Sequence, residues 1–119
     1  MCSMLCVPCF MIQIDAKNKI LGRLASEISQ FLIGKHKTDF VPYKNTGEEV
    51  EVLNIDEIVI SGNKLDKKIY YKHTGYVGHL NKKKMKEFSK AELFKKAVWN
   101  MLPKNRLRKE RFKLLKIKQ

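Results

Sequence analysis

The sequence predicts an α/β domain built on a mostly parallel sheet. Three observations carry this. Strand-like runs alternate with segments of helical period, the order that a parallel α/β sheet requires. One run, Ile58-Val59-Ile60, is apolar at every position, as in a strand buried on both faces. Hydrophobic residues make up 44% of the 119, enough for the core of one compact domain, and the chain is too short for two.

The elements follow in order. Ile12 and Ile14 alternate with Gln13 and Asp15, the period-two pattern of a short strand. Ala16 to Lys19 is polar and turns the chain. Leu21, Leu24, Ala25, Ile28, Phe31 and Leu32 then form the apolar face of an amphipathic helix, and Gly34 stands where a C-cap glycine belongs. Pro42, Asn45 and Gly47 punctuate a loop over residues 35–49. Val50, Val52 and Leu53 predict a second strand and Ile58 to Ile60 a third, ended by Gly62-Asn63. Ile69, Tyr70 and Tyr71 predict a short strand ahead of a glycine-containing loop, His73 to His79; residues 81–88 are rich in lysine. Ser89-Lys90-Ala91-Glu92 is a capping box, in which the Ser89 hydroxyl accepts the residue-92 amide and the Glu92 carboxylate reaches back. The helix it opens buries Phe94, Ala97, Val98 and Met101 and stops at Pro103. Lys104 to Gln119 reads as a basic arm, with Leu107, Phe112, Leu114, Leu115 and Ile117 anchoring it to the domain or to a protein neighbour. The chain thus divides into a leader over residues 1–10, a domain over 11–103 and an arm over 104–119.

Charge is unevenly placed. Lys and Arg number 25 against 12 Asp and Glu, a formal net charge of +13. Residues 1–60 hold six basic and eight acidic side chains, whereas residues 61–119 hold nineteen and four. An excess sustained through predicted helix, loop and arm points to a polyanionic partner, nucleic acid or an anionic membrane surface. No apolar run approaches the roughly 18 residues of a spanning helix.

All the cysteines, Cys2, Cys6 and Cys9, fall in the leader. Their C-x3-C-x2-C spacing matches that of thiolates holding three irons of a four-iron cluster, so an iron–sulfur enzyme is an alternative reading. Against it, no strand precedes the run, Pro8 replaces the aromatic usual before the last cysteine, and the rest of the chain is short for a barrel. A zinc site would lack a fourth ligand nearer than His36. The leader also lacks the basic start and small-residue cleavage site of a secretory signal. It reads as disordered, or as sequence ahead of a true start at Met11. An odd cysteine count fits a reducing compartment.

Five blocks resemble a known family, the large-subunit ribosomal protein L13 family. They are Asp15-Ala16 with Leu21-Gly22-Arg23-Leu24-Ala25-Ser26; Gly34-Lys35-His36-Lys37; Ser61-Gly62-Asn63-Lys64 with Lys68-Ile69-Tyr70-Tyr71; His73-Thr74-Gly75-Tyr76-Val77-Gly78; and Ala97-Val98 through Met101-Leu102-Pro103-Lys104-Asn105. Each block alone is weak; all five in this order, from about residue 11 to residue 117, are specific. Met11 stands where the family usually has an aromatic, Gly78-His79 where it has a glycine pair, and Arg108 where it has a glycine. The resemblance implies a three-layer α/β/α domain with a mostly parallel four-stranded sheet and a basic C-terminal arm. It implies a non-catalytic constituent of the large ribosomal subunit that binds large-subunit ribosomal RNA and supports early assembly, beside neighbouring ribosomal proteins. No cofactor, metal, membrane or small-molecule substrate is expected, and the setting is the ribosome of the cytoplasm or of an organelle. A nucleic-acid or membrane-surface binder working outside the ribosome is the other alternative.

RNA attachment needs cations for phosphates, donors for sugar hydroxyls and flat groups for unstacked bases. Lys64, Lys67, Lys68, Lys72, Lys82, Lys83 and Lys84 supply charge; Tyr70, Tyr71 and Tyr76 offer ring faces, Tyr70 and Tyr71 serving equally well as strand core; His73 and Thr74 are donors; Gly75 and Gly78 allow close backbone approach. Lys35, His36 and Lys37 follow a helix end, where the dipole also favours cations. Arg23 sits in a first helical turn, where the dipole disfavours it, which favours a phosphate partner. Lys104, Arg106, Arg108, Lys109, Arg111 and Lys113 complete the candidate set, arginine suiting bidentate phosphate contact. Glu48, Glu49 and Glu51 read as a solvated edge cluster. No catalytic constellation is present: Gly34-Lys35 is followed by His36, which excludes a phosphate-binding P-loop.

Overall fold

The computed structural model describes residues 11–118, so the leader and its three cysteines lie outside the described residues. The order is β1 (Ile12–Asp15), α1 (Leu21–Ile33), β2 (Val50–Leu53), α2 (Lys64–Lys67), β3 (Ile69–His73), β4 (Leu80–Lys84), α3 (Lys90–Met101), α4 (Arg108–Lys113) and β5 (Leu115–Ile117). Single 3₁₀ turns occupy Ile55–Glu57 and Met85–Glu87.

The class is α/β, with β1, β2 and β5 forming a wholly parallel sheet and β2 in the centre. Ile12 faces Val50 and Ile14 faces Val52 across one pairing; Val50 faces Leu115 and Val52 faces Ile117 across the other. Side chains alternate along a strand, so these six residues share one face. They pack into one core with Leu24, Ile28 and Leu32 of α1 and Phe94 and Val98 of α3. Gln13, Asp15 and Lys116 alternate with them and are exposed. The middle of that second face is covered: Glu51, held by Gln13 and Lys118, is 3% exposed.

The sheet has three strands, not four. Ile58 to Ile60 forms only an isolated parallel bridge, Ile20 to Val59. Its partner segment is too short for a ladder: Asn18 already has a left-handed φ of 57°, and α1 begins at Leu21. The bridge still matters, because the Val59 carbonyl accepts the Leu21 amide at 3.0 Å and so satisfies the first donor of a helix with no side-chain cap. The third strand comes instead from the expected arm, whose Leu115 and Ile117 turn to the core while Lys116 and Lys118 turn away.

α1 ends as predicted at Gly34, φ 84°, whose amide reaches the Gln30 and Phe31 carbonyls. Gly47 comes closer to α1 than any side chain could: a Cβ there would lie 2.0 Å from the Leu32 carbonyl oxygen. α3 carries the predicted capping box, with Ser89 Oγ 3.3 Å from the Glu92 amide and the Glu92 carboxylate 3.4 Å from the Ser89 amide.

Candidate nucleic-acid interface

β3 and β4 form an antiparallel hairpin apart from the main sheet. Its turn is made by glycines at φ 96° (Gly75) and 78° (Gly78), values that an L side chain resists. Neither glycine has a neighbour within reach of a Cβ, so backbone conformation alone accounts for both. The Gly75 amide donates to His73 Nδ1 at 2.9 Å, and the Thr74 amide to the His79 carbonyl at 3.2 Å. Tyr70 is half-buried; every other side chain of the two strands is exposed.

Directly opposed residues share a face of such a ribbon. One face carries Tyr71 and His73 with Lys82, Leu80 and Lys84; the other carries Tyr70 and Lys72 with Lys83 and Asn81. No acid occurs from Ile69 to Lys84, and none of Lys72, Lys82, Lys83 and Lys84 makes an ion pair among the described residues. Tyr71 and Tyr76 are 61% and 75% exposed. The Tyr70 face fastens the hairpin to the body. Tyr70 meets the Phe88 ring edge-on at 5.3 Å, and Lys96 of α3 and Lys68 lie 3.7 and 5.2 Å from the Tyr70 ring centre.

The structure brings Arg23, Lys64 and Lys68 to one cleft of about 650 Å³ between the start of α1, the Ser61–Lys68 segment and the end of α3. Lys67 stands beside it, exposed on α2.

At the end of α1 the expected cluster divides. Lys35 is exposed. His36 and Lys37 are tied to Glu48, at 3.4 and 2.9 Å. The Lys37 hydrogen bond holds the Glu48 carboxyl below its usual range; partial burial opposes this and His36 adds to it. Glu49 takes Lys116 at 2.7 Å. Glu51 takes Lys118 at 2.8 Å and accepts from Gln13 at 2.9 Å, and the Lys118 bond above all lowers its pKa. These acids are therefore paired, not a solvated edge: each neutralises a cation from a distant part of the chain.

The arm cations also divide. Lys104, Arg106, Lys109 and Lys113 are exposed. Arg108 lies over the Trp99 ring, 4.3 Å from its centre, with Nε and Nη2 donating to the Trp99 carbonyl; the Nε bond is 2.8 Å. Arg111 corrects the sequence expectation: it is 2% exposed, beyond the reach of a phosphate. Its Nη2 donates to the carbonyls of Pro42 and Lys44 at 3.3 and 3.2 Å, pinning the 35–49 loop to α4.

Two residues outside the predicted set stand out in the structure. Lys96 carries no local signal, because its aromatic partners come from another element. Tyr43, 73% exposed with Lys44 5.9 Å from its ring centre, has one: an aromatic followed by a lysine in a proline-punctuated loop.

Among the described residues no helix is long and apolar enough to cross a membrane, and no group of three or more His, Cys, Asp and Glu is placed to hold a metal. The family model for ribosomal protein L13 matches residues 10–118. The chain is 47% identical to the large ribosomal subunit protein uL13 of Acidithiobacillus ferrooxidans over 107 residues, 87% of this chain and 75% of that protein. It is 44% identical to the uL13 of Syntrophobacter fumaroxidans over 109 residues, 89% of this chain and 77% of that protein. The uL13 of Lawsonia intracellularis is 47% identical over 107 residues, with 87% and 74% covered.

Proposed function

We propose, starting from the fact that this chain belongs to the ribosomal protein L13 family, that it binds large-subunit ribosomal RNA and braces it during early subunit assembly. Membership itself gives a structural, non-enzymatic part in the large ribosomal subunit. The iron–sulfur alternative rested on Cys2, Cys6 and Cys9, outside the described residues, and on an enzymatic role that this family does not have.

One observation carries the RNA reading: a two-stranded ribbon, exposed on nearly every side chain, holds four lysines and two histidines between Ile69 and Lys84 and no acid. An isolated hairpin is marginal in water, so so much exposed strand suits a partner that covers it. Lys72, Lys82, Lys83 and Lys84 supply phosphate contacts, Tyr71 and Tyr76 stacking faces, and His73 and Thr74 donors to sugars. Arg23, Lys64, Lys67 and Lys68 extend the surface on one side; Lys35, Lys104, Arg106, Lys109 and Lys113 are further contacts. His36, Lys37 and Arg108 are held by partners within the chain and contribute less. Apolar residues of the 104–119 segment that remain partly exposed, such as Leu107, face neighbouring ribosomal proteins.

Binding of the full chain to large-subunit RNA across a salt series tests this. Each neutralised phosphate contributes roughly −0.7 to −0.9 to the slope of log affinity against log salt. A slope of several units is expected; one near zero overturns the reading.

A further inference from the structure

We infer that the cleft holding Arg23, Lys64 and Lys68 receives one unstacked nucleotide of an RNA strand, its base against Ile60, Met85 and Met101 and its phosphate among the three cations. The inference rests on the RNA-binding reading and adds to it a site of defined shape.

Three features support it. The cleft, about 650 Å³, lies within the usual size range of sites for single small molecules, and a double helix does not enter a cleft of this size. Its floor is apolar and rich in sulfur: Met85 is buried, while Met101 is 40% exposed at the end of α3, an apolar side chain left in the open unless something covers it. Thioethers pack well against flat π systems. The rim is cationic without compensation: no acid lines the cleft, and Arg23, Lys64 and Lys68 make no ion pair among the described residues.

An apolar slot beneath a positive rim matches a nucleotide, whose base is flat and weakly polar and whose phosphate is anionic. RNA-binding proteins read single strands by taking splayed bases into such places. The Tyr70 ring is not the platform here, since Lys96 and Lys68 both lie over it. The base rests on methionine and isoleucine instead.

The test uses the full chain bound to large-subunit RNA without other ribosomal proteins, with chemical probing of base edges. Ser26→Trp on α1 and Met101→Trp on α3 fill the cleft from two elements, at exposed positions whose side chains meet (Ser26 Oγ to Met101 Sδ, 3.5 Å), and thermal melts check their folding. The wild-type chain should protect one base that both variants leave reactive, while the hairpin footprint persists. Affinity should fall roughly tenfold, the order of one lost base contact. Identical footprints for wild type and both variants overturn the nucleotide site alone. No footprint from the wild-type chain overturns the RNA-binding reading, and the site with it. In a second arm, with the other large-subunit proteins added, variants that keep every protected base yet fail to recruit a neighbouring ribosomal protein show a protein occupant and also overturn the proposal.

Discussion

The ammonium of Lys96 on α3 stands 3.7 Å from the centre of the Tyr70 ring on β3, with the Phe88 ring centre 4.9 Å away. This contact and the Tyr70–Phe88 edge join the hairpin to the body. An exposed cation–π contact contributes about 0.5–1 kcal/mol. Lys96→Ala should therefore speed amide exchange in β3 and β4 roughly two- to fivefold while the core keeps its protection. Unchanged exchange would assign the attachment to the ring edge and to buried Met85.

Charge on the hairpin should set the salt response. Replacing Lys82, Lys83 and Lys84 together by glutamine should reduce the salt slope by about 2 to 3. Lys118→Gln, which removes a lysine already paired with Glu51, should leave it nearly unchanged. Equal effects from both, measured by filter binding, would show general attraction rather than contact at the hairpin.

Arg111 is a stability residue. Truncation to alanine strips the Pro42 and Lys44 carbonyls of their donor and empties the space of one of the largest fully buried side chains. The loss should be about 3 kcal/mol by urea denaturation. Arg111→Met keeps most of the volume and should lose about 1–2 kcal/mol. Lys109→Ala, at an exposed position two residues earlier, should stay within about 0.5 kcal/mol.

Glu48 makes the fold sensitive to acid. Its carboxyl is held below its ordinary value of 4.5, first by the Lys37 hydrogen bond. A carboxyl whose pKa is lowered by folding stabilises the protein above its unfolded pKa, and that contribution disappears as pH falls through the folded one. Glu48→Gln should thus be less stable than wild type by about 1 kcal/mol near pH 7. The gap should close as the pH drops below 4.5. A gap that persists in acid would mean that the loop depends on the shape of the side chain, not its charge.

Elements with local signatures were legible in the sequence. α1 and its Gly34 cap, the Ser89–Glu92 box, β1 and β2 all rest on periods or caps a few residues long. What escaped was non-local. An apolar run reads the same whether it makes a ladder or a single bridge, so Ile58 to Ile60 passed for a strand. β4 is mostly lysine and is a strand only because β3 pairs with it. In Leu115-Lys116-Ile117-Lys118 the alternation of a strand was present, but the density of basic residues made it read as an arm. For the site, sequence marked the hairpin cations but could not tell which cations were already engaged. Glu48 removes Lys37 and His36, and distant carbonyls take Arg111 inside. Gly47 read as loop punctuation, whereas its position against the Leu32 carbonyl fixes the route of the loop.

β5 pairs with the central strand across a long span of chain, Leu115 against Val50. While the polypeptide is being made, β2 has β1 on one side and nothing on the other until residues 115–117 emerge. Closure of the core thus waits on the 115–117 segment, and the contacts that complete it are slow, long-range ones. A nascent chain stalled short of this point presents an unpaired hydrophobic edge, the kind of surface that chaperones and proteases recognise.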